Sequence, residues 1–338
     1  MTVDERKQRI MQAIVTLYAM EGEPVGSSLL ASYFDMAVSS ATLRNEMAAL
    51  TRLGLLEQPH TSAGRVPSAK GYRYYLDHLL AGDLRPNGDV AADVHTAFSG
   101  FDQEPEKLAQ QAAKTLARMT GYTAAVTMPR ADDQCVVHYE VVQVARYAAA
   151  VLAVNNAGGV RTRVAHVECG LSRSDAAVLA AILNRNLTFV APADLTRPLL
   201  AALCGEAGTD FVPVIAAAAG ILQDAAKPHV FLGGEQYLLQ WPELQPYLPA
   251  LVAQLNDDER AGAMITPAGG RTAVFLGEDM EPAMPGLCII AKRYLVGGGL
   301  SGSIALVGPA RMPFSQLIPQ LEACAAELGQ CMAGKTGE

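Results

Sequence analysis

Two prolines fence the stretch PHTSAGRVP at residues 59–67, and no feature restricts the fold more. A helix cannot run through it, because proline lacks an amide hydrogen and its ring blocks the helical carbonyl. Just before it, Leu43, Met47, Leu50 and Leu53 recur at helical spacing, which predicts a helix over 39–53. Ser39 stands at its N-cap and Gly54 suits a left-handed C-cap. Residues 55–58 read as a short strand, Val66 starts a returning strand, and Ser68 caps a helix over 69–81. Upstream, Ile10, Ile14, Leu17 and Tyr18 predict a helix over 4–20, which GEPVG breaks. Either Ser27 or Ser28 caps a second, short helix to residue 34, and residues 35–38 form a turn. Helix, short helix, turn, helix and hairpin, in that order, make a helix-turn-helix with a wing.

The charge distribution points the same way. Residues 1–80 hold equal numbers of Lys/Arg and Asp/Glu, so the formal net charge of −8 falls on residues 81–338. Within the neutral block, residues 39–75 carry Arg44, Arg52, Arg65, Lys70 and Arg73 against only Glu46 and Glu57. A locally basic stretch in an acidic chain fits an anionic partner for that part alone; the plainer alternative is a solvated charged face. On the third helix, the face opposite the leucines carries Ala41, Arg44, Asn45, Ala48 and Arg52. Small residues admit close approach, and Arg and Asn have the fork geometries that read guanine and adenine edges in a major groove. Ser39, Ser40 and Thr42 in its first turn offer hydroxyls and free amides to phosphate. In the hairpin, His60, Thr61 and Ser62 offer neutral donors, and Gly64-Arg65 places a mobile cation near the tip. That cation can either track the backbone or enter a minor groove. Lys70, Tyr72 and Arg73 support or extend the contact, with Tyr72 equally suited to the core.

The stretch SSATLRNEMAALTRLGLLEQPHTSAGRVPSAKGYRYYLDHLL closely resembles the winged-helix segment of the HrcA family of heat-inducible transcription repressors, and GEPVGS before it also fits. The family commonly has an arginine after that serine, where this chain has Ser28. FLGGEQYLLQWPEL, AVFLGED and GLSGSIALVGPARMPFSQLI are similar to further family segments, so the resemblance spans nearly the whole chain. It implies an α+β, multidomain protein: a winged helix-turn-helix over 1–82, a linker over 83–103, and a GAF-like α/β sheet domain over 104–200 and 268–334. A helical dimerising domain over 201–267 is then expected as an insertion into the sheet domain. The implied function is dimeric repression at an inverted-repeat operator upstream of chaperone genes, with a GroEL-type chaperonin keeping the repressor active.

The rest of the chain supplies strands and helices but no catalytic pattern. Strands are predicted over 124–128, 136–144, 148–154 and 160–168, and helices over 104–119 and 175–187. Residues 199–266 are mainly Ala-rich helix, strands return over 272–276, 287–295 and 303–307, and a helix closes the chain at 315–332. GGGLSG at 297–302 satisfies G-x-G-x-x-G, but a dinucleotide site needs a following helix and here a strand follows, as in a hairpin turn. There is no P-loop and no HExxH, and Asp257-Asp258-Glu259 reads as a solvated run. The six cysteines form no CxxC pair, as expected of reduced packing residues. No apolar run is long enough to span a bilayer, and MTVDERKQRI lacks the apolar region of a signal peptide. A cytoplasmic protein that is no enzyme and needs no cofactor or metal is therefore expected. Two rival readings are a ligand-sensing regulator using the GAF-like domain, and a winged helix that docks on protein.

Overall fold

The computed structural model describes residues 3–80, 86, 88–101, 104–130, 135–156, 159–191, 194–297 and 299–334. Helix α1 (Glu5–Glu21) is capped by the Asp4 carboxylate, which accepts the Lys7 amide at 2.9 Å, and stops at Gly22 with φ 72°. Then come α2 (Ser27–Tyr33) and α3 (Ser40–Arg52). Asp35 and Met36, between these two, both take positive φ. β1 (Leu56–Glu57) pairs antiparallel with β2 (Val66–Pro67), and α4 (Ala69–Tyr74) runs into a π-helical turn, Tyr75–Leu79. Ile10, Ile14, Leu30, Leu43, Leu50 and Leu56 are at most 2% exposed, so the predicted stripe of the third helix is its core face. Burying one such side chain contributes about 1.5–3 kcal/mol.

The remaining elements follow in order. They are α5 (Gly88–Phe98), α6 (Pro105–Thr120), β3 (Thr123–Thr127), β4 (Val136–Ala145), β5 (Ala148–Asn155), β6 (Val160–His166), α7 (Arg173–Leu187), α8 (Arg197–Ala207) and α9 (Val212–Ala226). The chain continues through β7 (Val230–Gly233), α10 (Leu248–Leu255), α11 (Asp258–Ile265), β8 (Ala273–Leu276), β9 (Leu287–Gly297), β10 (Leu300–Pro309) and α12 (Phe314–Met332). Five strands form an antiparallel sheet in the order β7-β3-β10-β9-β8. On one face Ala124, Val126, Ile290, Ile304 and Leu306 pack into the core that holds Leu108 and Leu116 of α6 and Leu321 of α12. On the other, Ala125, Ile289, Ala305 and Val307 pack with Leu251 of α10 and Ile265 of α11. With both faces covered, all five residues of β3 are buried. The N-terminal helices join the first of these cores: the Phe314 ring lies 6.2 Å from Tyr72 and 6.3 Å from Tyr75.

A separate antiparallel sheet, β4-β5-β6, has a core of its own with α7, α8 and α9, built on Tyr139, Val151, Leu183, Val214 and Leu222. This corrects the expected insertion at 201–267. The interposed unit comprises β4 through α9, and from β7 onward the chain is back in the five-stranded sheet. Alternation predicts strands but does not say which sheet each joins, and four-residue β7 is hidden among helical segments. The linker expected over 83–103 contains α5, which buries Val94 and Phe98 and packs against α12. Residues 83–85, 87, 102 and 103 of that linker and Gly298 of the glycine-rich stretch lie outside the described residues. The G-x-G-x-x-G stretch joins β9 to β10, with Leu300 paired to Gly297, so no helix follows it.

Candidate nucleic-acid interface

α3 begins where Ser39 accepts the Thr42 amide at 3.2 Å and shares a 2.9 Å hydroxyl contact with Thr42 Oγ1. Ser40 Oγ meets Ser27 Oγ at 2.9 Å, which ties the start of α3 to the start of α2. These hydroxyls are thus partly engaged within the protein. Ala41, Arg44, Asn45 and Arg52 are exposed, while Thr42 and Ala48 are half-buried. Among the described residues, no hydrogen bond or ion pair engages the side chains of Arg44, Asn45 or Arg52. The one carboxylate of the helix, Glu46, is half-buried and pairs with Lys7 of α1 at 3.4 Å. Hydrogen bonding to Asp4, and then to Glu46, raises the Lys7 pKa against the opposing effect of desolvation. The outward side of α3 therefore presents uncompensated cations and an amide.

The hairpin is shaped by its own backbone. Gln58 Nε2 donates to the carbonyls of Thr61 at 2.8 Å and Ala63 at 3.1 Å, and the Ala63 amide donates to His60 O at 2.8 Å. His60, Thr61 and Ser62 are left exposed at the tip. Val25 and Arg65 exchange both backbone hydrogen bonds at 2.9 Å, adding a third extended segment beside β2. Gly64 fits only because it lacks a side chain: a Cβ there would sit 2.3 Å from the Val25 carbonyl oxygen.

Three expectations change. Arg65 is not a mobile cation near the tip; it is half-buried, with Nε donating to Thr51 Oγ1 of α3 at 3.0 Å and an arm on Gly64 O at 3.3 Å. Lys70 Nζ donates to Leu53 O at 2.9 Å and so caps the C-terminal end of α3. Arg73 pairs with Asp279 beyond β8; for Tyr72, the core alternative is the one that holds, at 4% exposure. Thr51 and Gln58 carry no sequence signal for their roles in positioning Arg65 and the tip, and Ser27, expected with Ser28 as a candidate cap of α2, lies inside that helix behind Gly26 and positions Ser40 instead. Thr51 and Arg65 lie 14 residues apart and Ser27 and Ser40 lie 13 apart, separations that no local pattern encodes, whereas Gln58 reaches carbonyls within its own hairpin. What remains outward is Arg44, Asn45 and Arg52 on α3 and residues 60–62 on the hairpin, with Arg65 bracing one to the other.

A family model described as HrcA protein C terminal domain matches residues 106–318. The heat-inducible transcription repressor HrcA of Halalkalibacterium halodurans is 32% identical over 330 residues, covering 96% of each chain. The protein of the same name from Desulforudis audaxviator is 28% identical over 333 residues, covering 95% of this chain and 96% of its own. A crystal structure of a hypothetical protein superposes with a TM-score of 0.61 at 21% identity, over 99% of this chain and all of the other, and so shares the fold.

Proposed function

The chain belongs to the HrcA family and is a heat-inducible transcription repressor, and on that premise we propose how it represses. Residues 3–80 act as a winged helix-turn-helix on double-stranded DNA. α3, about 20 Å long and about 10–12 Å across, lies in a major groove about 12 Å wide. Arg44 and Asn45 read base edges there, and Arg52, Ser39, Ser40 and Thr42 meet phosphates. His60, Thr61 and Ser62 of the wing follow the backbone, while Gly64 and Arg65 set the angle of the wing and Lys70 and Arg73 hold the head. The observation that carries this reading is the contrast along one helix: Glu46 is tied to Lys7, while Arg44 and Asn45 stand exposed without partners among the described residues.

Two chains pair to span an inverted repeat and exclude polymerase from it, acting by occupancy in the cytoplasm and not by catalysis. The five-stranded sheet is a GAF-like body, and the β4-β5-β6 unit is the insertion through which two chains meet. The open face of that small sheet supports the pairing. Val142, Ala150 and Val164 align across it, as do Val154 and Val160, and Val142, Val160 and Val164 are 44%, 59% and 57% exposed. A GroEL-type chaperonin keeps the repressor active, and heat diverts that chaperonin to unfolded protein.

Titrating the full chain onto the inverted repeat and onto a scrambled duplex of equal length, across salt, tests the proposal. Binding should favour the repeat by about 10³-fold or more and weaken with salt at a slope of about −0.9 per phosphate contacted. Equal affinity for the two duplexes would refute base reading. Repeating the titration with chaperonin present should raise the active fraction.

A further inference from the structure

We propose that the cavity between the N-terminal helices and the five-stranded sheet binds a small organic amine in its ammonium form. The cavity measures about 340 Å³, within the range of small-molecule sites. Tyr18 of α1, Glu57 of β1 and Tyr72 of α4 line it from the N-terminal side, and Glu243, Glu278 and Arg311 from the sheet side. Three acidic residues and one arginine thus line the same cavity.

That guanidinium is already committed. Arg311 Nε donates to Glu243 Oε1, and its Cζ lies 4.9 Å from the centre of the Trp241 ring, which stacks on Tyr122 at 5.3 Å and 6°. Among the described residues, the second oxygen of Glu243 is buried with no hydrogen-bond partner, and so is the hydroxyl of Tyr72. Folded proteins leave few such groups, and here two belong to side chains lining one cavity. An ammonium group brings three donors and a positive charge, which suit an unpaired carboxylate oxygen and a phenol oxygen. The rings of Tyr18 and Tyr72 offer further attraction to a cation. An anionic ligand would meet three carboxylates at the cost of like-charge repulsion. Because both walls contribute, an occupant touches the N-terminal helices and the sheet at once. The inference does not depend on the DNA-binding reading.

Isothermal titration of the full chain with 1,4-diaminobutane tests it, with 1,4-butanediol as the uncharged control. The diamine should bind saturably, one per chain, with a Kd at or below about 1 mM, and the diol should not. Tyr72→Phe removes only the hydroxyl and should weaken diamine binding about tenfold, as should Glu243→Gln, while the exposed Glu259→Gln should leave it unchanged. Absence of saturable diamine binding would overturn the proposal. So would a Kd unaffected by Tyr72→Phe, or one weakened equally by Glu259→Gln, since the heat would then come from the acidic surface at large. Tyr72→Phe keeps the test decisive even if Glu243→Gln, by releasing Arg311, fails to fold.

Discussion

Arg44 and Arg65 carry the same charge but are held differently, and that difference separates their roles. Arg44 is exposed and, among the described residues, unpartnered, whereas Arg65 donates to Thr51. Arg44→Ala should cost about 1–3 kcal/mol on the cognate duplex and much less on random DNA, read by comparative titration. Loss on both alike would move Arg44 to the phosphates. Arg65→Lys keeps the charge but loses the planar Nε donor. It should leave the salt slope unchanged and lower the stability of the protein by about 0.5–1.5 kcal/mol in denaturant. A shallower salt slope would return Arg65 to the DNA contacts. The outward position of Arg44 is legible in sequence because the leucine stripe fixes the opposite face of the helix. The bond from Arg65 to Thr51 is not, because it joins residues on two elements through a hairpin whose path no periodicity describes.

At the scale of the element, the hairpin depends on close backbone approach. A Cβ on Gly64 would meet Val25 O at 2.3 Å, and one on Gly71 would meet Leu55 O at 2.0 Å. Gly64→Ala and Gly71→Ala should each cost about 1–3 kcal/mol of stability and lower the melting temperature. Gly88→Ala, where nothing lies within 4 Å, should not lower it. A Gly64→Ala protein as stable as the parent would show that the hairpin does not rest on Val25. The caps Ser39 and Ser68 and the left-handed Gly54 were readable, because each is a local exchange between side chain or φ and the adjacent helix. The sequence predicts the turn between α2 and α3 but not the left-handed Asp35 and Met36 within it, which lack the usual glycine signal. Sheet membership was likewise hidden. β3 and β4 both read as apolar strands, yet β3 is an inner strand of one sheet and β4 is an edge of the other.

For the whole molecule, the two sheets divide the labour: one is covered on both faces, and the other leaves a row of valines open. If that row joins two chains, Val142→Asp with Val164→Asp should give a monomer by sedimentation, without lowering the stability of the five-stranded core. The charge imbalance between the first eighty residues and the remainder is legible from composition, and on the proposed function it would keep the acidic body away from a polyanion. The bounds of the interposed unit were not legible, since they follow from which core each helix enters. The most direct measurement is a titration of the full chain onto the intact inverted repeat and onto the same duplex with one half scrambled. Two linked heads, each with α3 in a groove, predict an affinity loss of about 10²–10⁴-fold on the half-scrambled duplex. Equal affinity for both would contradict the account.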